Sequence, residues 1–103
     1  MVPIIGQSRD ELARLCQRFR VKRLELFGSA AREDRSQPAD HDLDFLVEFL
    51  PLAPGTHADA YFGLLAALED LFQRPIDLVM TRAITNPYFL ESVNRTRTVL
   101  YAA

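Results

Sequence analysis

The chain is poor in several things, and each scarcity removes a class of explanation. Cys16 is the only cysteine in 103 residues. No intrachain disulfide can staple the fold, and a reducing cytoplasm is the expected setting. No basic segment followed by an apolar run opens the chain, so no secretory leader is expected. No apolar run approaches the roughly 20 residues that a membrane-spanning helix needs. Lysine is almost missing, with Lys22 the only one. The remaining basic residues are arginines, which suit bidentate contacts to phosphate or carboxylate but equally reflect a GC-rich genome. The formal net charge is −2. No global basic field is therefore available to draw in nucleic acid, and direct nucleic-acid binding is not expected. Repeats, low-complexity segments and linkers are absent, and the length suggests one domain over 1–103.

What is present is a soluble globular composition, 49% hydrophobic and 25% charged. Ser8-Arg9-Asp10-Glu11 reads as a capping box. Leu12, Leu15, Cys16 and Phe19 follow at helical spacing, which predicts a first helix over about 9–19. Arg18, Arg20, Lys22 and Arg23 gather at its end, where cations suit the helix's negative pole. A solvated helix end and a basic patch facing an acidic partner are both open there. Val21 to Phe27 alternates as a strand and stops at Gly28. Ser29 then caps a short helix through Ala30, Ala31 and Arg32. The polar stretch Glu33 to His41 is a loop. Leu43 to Phe49 is almost continuously apolar, as in a strand covered on both faces.

After a Pro- and Gly-containing loop, Thr56 or His57 starts a long helix reaching Gln73. Its polar face is sparse, so it is either well buried or a partner surface. Ile76 to Met80 is a third strand, with Asp77 inside it. Asn86-Pro87 starts the last helix, with Phe89, Leu90 and Val93 on its apolar side. Thr98 to Tyr101 is a closing strand. The order α-β-α-β-α-β-α-β implies an α/β (α+β) fold, a small mixed sheet flanked by helices.

The chemistry concentrates at two places. Asp42 and Asp44 lie two residues apart at a strand start and share a face, while Leu43 points into the core. Carboxylates held that close repel unless a cation sits between them, and an oxygen-only donor set favours Mg²⁺ or Mn²⁺. If the strand carrying Asp77 neighbours theirs, Asp77 can join them around one or two metals. The second place is the turn after the first strand. Gly28 allows close backbone approach, Ser29 adds a hydroxyl at a helix start, and Arg32 lies within reach of a phosphate oxygen. Metals, phosphate donors and a carboxylate base are the parts of a two-metal nucleotidyl transfer. Each signal alone is commonplace, and their combination in this order is specific.

The run Phe27-Gly28-Ser29-Ala30-Ala31-Arg32, the pair Asp42-Leu43-Asp44 followed by Phe45-Leu46-Val47, and Ile76-Asp77-Leu78-Val79 resemble the minimal nucleotidyltransferases (MNT) of the DNA-polymerase-beta-like superfamily. The resemblance covers nearly the whole chain. It implies a nucleotidyltransferase fold and transfer of AMP from ATP with release of pyrophosphate. By the same resemblance Gly28 and Ser29 bind the triphosphate, Asp42 and Asp44 hold Mg²⁺, and Asp77 completes the site and acts as base. Many such short proteins are antitoxins that attach AMP to a tyrosine of a HEPN-domain toxin and form a complex with it. Glu33 stands where the family often has glycine and His41 where it often has serine, and the spacer before Asp42 is slightly long. Three other readings compete with this one. The first is a non-catalytic antitoxin that masks its partner sterically. A small-molecule nucleotidyltransferase lacks room here for an acceptor domain, and a template-directed polymerase lacks a nucleic-acid grip.

Overall fold

The strand expected over 21–27 is one of the two inner strands of the sheet in the computed structural model, which describes residues 3–31 and 42–103. This strand, β1 (Val21–Phe27), pairs antiparallel with β2 (Leu43–Phe49) on one side and with β4 (Thr98–Ala102) on the other. β2 pairs in parallel with β3 (Ile76–Met80), giving the order β3-β2-β1-β4. A parallel neighbour requires a crossover. The long helix His57–Phe72 supplies it, and the hydroxyl of its Tyr61 donates to the carbonyl of Leu78 on β3. The mixed, helix-flanked sheet expected from the sequence is therefore the fold.

The near-continuous apolar run of β2 has the cause inferred for it. Leu43, Phe45 and Val47 point to one face, where they join Leu24, Leu26, Leu78 and Leu100 in the main core. Leu46 points to the other, into a smaller cluster with Phe27 and Val93. The N-terminal helices contribute Ile5, Leu12 and Cys16 to the main core, and the crossover helix contributes Leu64, Leu68 and Phe72. The last helix covers the small cluster.

Two N-terminal expectations need correction. A short helix, α1 (Pro3–Gln7), precedes the first one expected, which runs over Arg9–Arg18 (α2) and ends just before Phe19. Five residues are too few to show a helical period, and α1 is held by Ile5, which is fully buried. The capping box does not form. Ser8 makes no side-chain capping bond and has φ −103 and ψ 13, not the extended backbone that a cap residue needs. The reason is continuity with α1, because the Ser8 N–H already donates to the Ile5 carbonyl at 3.2 Å.

The later boundaries follow the sequence closely. The crossover helix, α3 (His57–Phe72), stops at Gln73, which takes a left-handed φ of 53. α4 (Pro87–Thr96) has proline in its first turn, and the Asn86 carboxamide oxygen accepts from the N–H groups of Tyr88 and Phe89. Its expected apolar side is only partly covered. Val93 is buried, but Phe89 and Leu90 are 40% and 39% exposed. The Phe89 ring packs edge-on against Phe27, with centroids 6.0 Å apart.

Burial of Cys16 pushes its thiol from the ordinary 9.0 up to about 12. A thiol-specific reagent at pH 8 is expected to leave the native protein unlabelled and to label the unfolded chain at once. The unfolded thiol loses its proton first, so this group's contribution to stability falls as pH rises from about 9 towards 12.

Candidate functional site

β1 ends at Phe27, and the chain turns sharply at Gly28, whose φ is 74. A single 3-10 turn over Ser29–Ala31 follows, closed by the Ala31 N–H donating to the Gly28 carbonyl at 3.1 Å. The helix expected from Ser29 onward is seen as this one turn. Arg32, Glu33 and His41 lie outside the described residues.

Gly28 is needed here on two counts. Its φ lies in the left-handed region, which disfavours side-chain-bearing residues by about 1–2 kcal/mol. A Cβ at this position would stand 2.5 Å from the Asp44 Oδ2. The Asp44 carboxylate therefore lies directly against the backbone of the turn. Gly28→Ala is expected to lower stability by at least about 1 kcal/mol in urea titrations. Its transfer activity should fall further than the loss of folded protein explains, because the added methyl displaces Asp44. The Gly28 N–H is not a spare donor: it donates to the Thr96 Oγ1 at 2.8 Å. Within the expected phosphate-binding turn, Gly28 thus supplies space.

Asp44 sits at the meeting point of three strands. It pairs with Phe27 on β1 and with Asp77 on β3. Neighbouring strands stand about 4.8 Å apart, and directly paired side chains share a face. Two carboxylates are thus held side by side at the end of the sheet where the Gly28 turn lies. Asp42 continues the same two-residue period one step before β2. The condition set by the sequence, that the third strand neighbour the second, is met. Asp77 is exposed rather than buried, so desolvation inside its strand is not what demands a partner. Adjacency to Asp44 supplies that reason instead.

The donors at this end are all carboxylate oxygens, which suit a hard divalent cation. Among the described residues, no three His, Cys, Asp or Glu side chains are already gathered to hold a metal ion. What suits a cation is the donor chemistry together with the paired register, which places like charges side by side.

Two residues outside the sequence reading belong to this end of the molecule. Thr96, the last residue of α4, holds the Gly28 amide. Glu25, only 2% exposed, accepts from the Arg97 Nε and Nη2 at 3.0 and 2.6 Å and from the Arg23 Nε at 2.8 Å. A glutamate between two leucines in a buried strand was the available signal for Glu25. Nothing in the spacing marked Thr96.

The polymerase beta nucleotidyltransferase family model matches residues 10–103. A Methanocaldococcus jannaschii protein named "Putative protein adenylyltransferase MJ0128" is 35% identical over 93 residues, covering 86% of this chain and 90% of its own. A second protein of that organism, similarly named, is 32% identical over 79 residues, covering 77% of this chain and 76% of its own. A solved structure described as a "putative minimal nucleotidyltransferase" superposes with a TM-score of 0.70 at 33% identity, covering 95% of each chain. A chain from the complex of a tri-AMPylated Shewanella oneidensis HEPN toxin with its MNT antitoxin has a TM-score of 0.63 at 17% identity. That match covers 96% of this chain and 73% of the other, and speaks for the fold alone. With the Gly28 turn, Asp44 and Asp77 brought together on the fold of these relatives, the chain belongs to the polymerase beta nucleotidyltransferase family.

Proposed function

We propose that this nucleotidyltransferase moves AMP from ATP to a tyrosine hydroxyl of a HEPN-type toxin and so acts as its antitoxin. The observation that carries the proposal is the pairing of Asp44 with Asp77 directly beside the Gly28–Ser29 turn. The names of the relatives support AMP as the transferred group, and the toxin–antitoxin complexes among the structural neighbours support the partner class.

In this reading the turn receives the triphosphate, with the Ser29 hydroxyl and the backbone after Gly28 as phosphate contacts and Arg32 as a further one. Asp42 and Asp44, with Asp77, would hold Mg²⁺ or Mn²⁺, which supplies neutralisation of the phosphate charge and of the departing pyrophosphate. Asp77, exposed at the sheet end, takes the proton from the attacking tyrosine oxygen. The tyrosine oxygen forms its bond to the α-phosphorus, and the bond from that phosphorus to the pyrophosphate oxygen breaks. The proton ends on the Asp77 carboxylate and then passes to solvent. The setting is the cytoplasm, where ATP and Mg²⁺ are available. No helix among the described residues is long and apolar enough to cross a membrane.

The test incubates the chain with ATP labelled at the α-phosphate, Mg²⁺ and the product of the neighbouring gene. Label on the partner, lost when the metal is chelated, is expected. Absence of label, with Asp42→Ala and Asp44→Ala neutralising the toxin as well as wild type does, would refute the catalytic reading.

That refuting outcome would favour the alternative, a steric antitoxin. Phe62 on α3, 63% exposed, gives this alternative a specific surface. It requires a stable stoichiometric complex without ATP on size-exclusion chromatography.

A further inference from the structure

We propose that Thr96 is a positioning residue for the Gly28–Ser29 turn, anchored by the ion pair of the buried Glu25 with the half-buried Arg97. The inference rests on the reading of that turn as the triphosphate site and deepens it. β1 and α4 are joined by two tethers at consecutive residues of the helix end. The Thr96 Oγ1 accepts from the Gly28 N–H, 68 positions away in sequence. The Arg97 guanidinium grips the Glu25 carboxylate with two N–H groups, and its Nη1 donates to the Asn94 Oδ1 at 2.8 Å.

The geometry gives each tether a distinct task. Phe27 is the last residue of β1 that pairs with β2, so Gly28 lies just past the ladder. At its positive φ, the Gly28 N–H would otherwise turn to water or swing. The Thr96 hydroxyl takes it, while its own hydrogen is directed at the Val93 carbonyl at 3.5 Å. A lone pair thus faces Gly28, which fixes the peptide plane between Phe27 and Gly28. Ser29 follows immediately, so that plane sets where its N–H and hydroxyl point. Arg97 caps α4 through its own N–H to the Val93 carbonyl at 2.9 Å. Its ion pair to Glu25, which lies on β1 three residues before Gly28, keeps the helix end from sliding along β1. Thr96 is half-buried, and its hydroxyl is engaged by the Gly28 N–H and the Val93 carbonyl, which suits a positioning role.

Thr96→Val keeps the shape and removes the acceptor. Transfer from α-labelled ATP to the neighbouring gene's product, the proposed toxin, is expected to fall about tenfold or more in kcat/KM, mainly in kcat. Thr96→Ser, which keeps the hydroxyl, is expected within about twofold of wild type. Exchange of the Gly28 amide, followed by NMR, is expected to be slow in the wild type and about tenfold faster or more in Thr96→Val. Wild-type kinetics in Thr96→Val would overturn the inference, as would a Thr96→Ser variant as impaired as Thr96→Val. An unprotected Gly28 amide in the wild type would overturn it even if Thr96→Val failed to fold. If the wild-type protein transferred no AMP, the proposed function would fail, and the positioning inference would stand or fall on the Gly28 amide alone.

Discussion

Asp44→Asn will lower AMP transfer by about a thousandfold or more, far more than its effect on stability explains. The cause is where its carboxylate lies. Asp44 is paired directly with Asp77 in the parallel register, and its Oδ2 lies where a Cβ on Gly28 would be. Like charges directly opposite each other across strands destabilise by up to about 1 kcal/mol. Asparagine is isosteric, so it keeps the packing beside Gly28 and removes that repulsion. It also removes the charge that would hold a divalent cation and orient the triphosphate. A residue serving only the fold would show the reverse pattern, losing stability and activity together. Asp77→Asn is expected to behave similarly, because it removes both the neighbouring charge and the proposed proton acceptor. Steady-state transfer kinetics and urea unfolding on the same preparations separate the two effects.

The largest effect on stability is expected from Arg97→Met. Glu25 is almost fully buried, and its Oε2 is held by two N–H groups of Arg97. Arg97 is 32% exposed, but removing it leaves the buried Glu25 charge poorly compensated, at a cost of about 3 kcal/mol. In a chain of 103 residues that corresponds to a fall of more than about 10 °C in Tm. Arg23 also binds Glu25, but its side chain is 48% exposed, so solvent screens it. Arg23→Met is therefore expected to cost less than about 1 kcal/mol. The double variant Glu25→Leu with Arg97→Met should recover much of the single variant's loss, since a well-packed apolar pair carries no desolvation penalty. Differential scanning calorimetry of the four proteins gives the ranking. Arg97→Met no more destabilising than Arg23→Met would contradict it.

The strands were legible because a strand covered on both faces, as β2 is, leaves a nearly continuous apolar run, and because β2 and the less covered β3 both have clear borders. Pro75 marks the start of β3, and Pro51 follows the end of β2. The register was not legible. Sequence spacing placed Asp42 and Asp44 on one face, but only the parallel pairing sets Asp77 opposite Asp44. The capping box at Ser8 misled because it was judged locally, while an unforeseen helix ran into it and took its backbone. The apolar side of α4 was read correctly as a pattern. How much of it is covered depends on where the helix lies on β1, which spacing does not encode. Thr96 was invisible for a related reason. It stands in the polar run Asn94-Arg95-Thr96-Arg97-Thr98, and its partner Gly28 is reached only when α4 folds back across the sheet. Glu25 did carry a signal, a charge inside an apolar strand, whose meaning required Arg97 to arrive from the far end of the chain.

Whether the paired aspartates transfer AMP to a protein tyrosine is tested most directly by mass spectrometry of the neighbouring gene's product, the proposed toxin, after incubation with ATP, Mg²⁺ and this chain. The expected result is a mass increase of one or more AMP units, mapped by fragmentation to a tyrosine and missing when Asp44→Asn replaces the wild type. An unmodified partner that is nevertheless neutralised, equally well by Asp44→Asn, would contradict it.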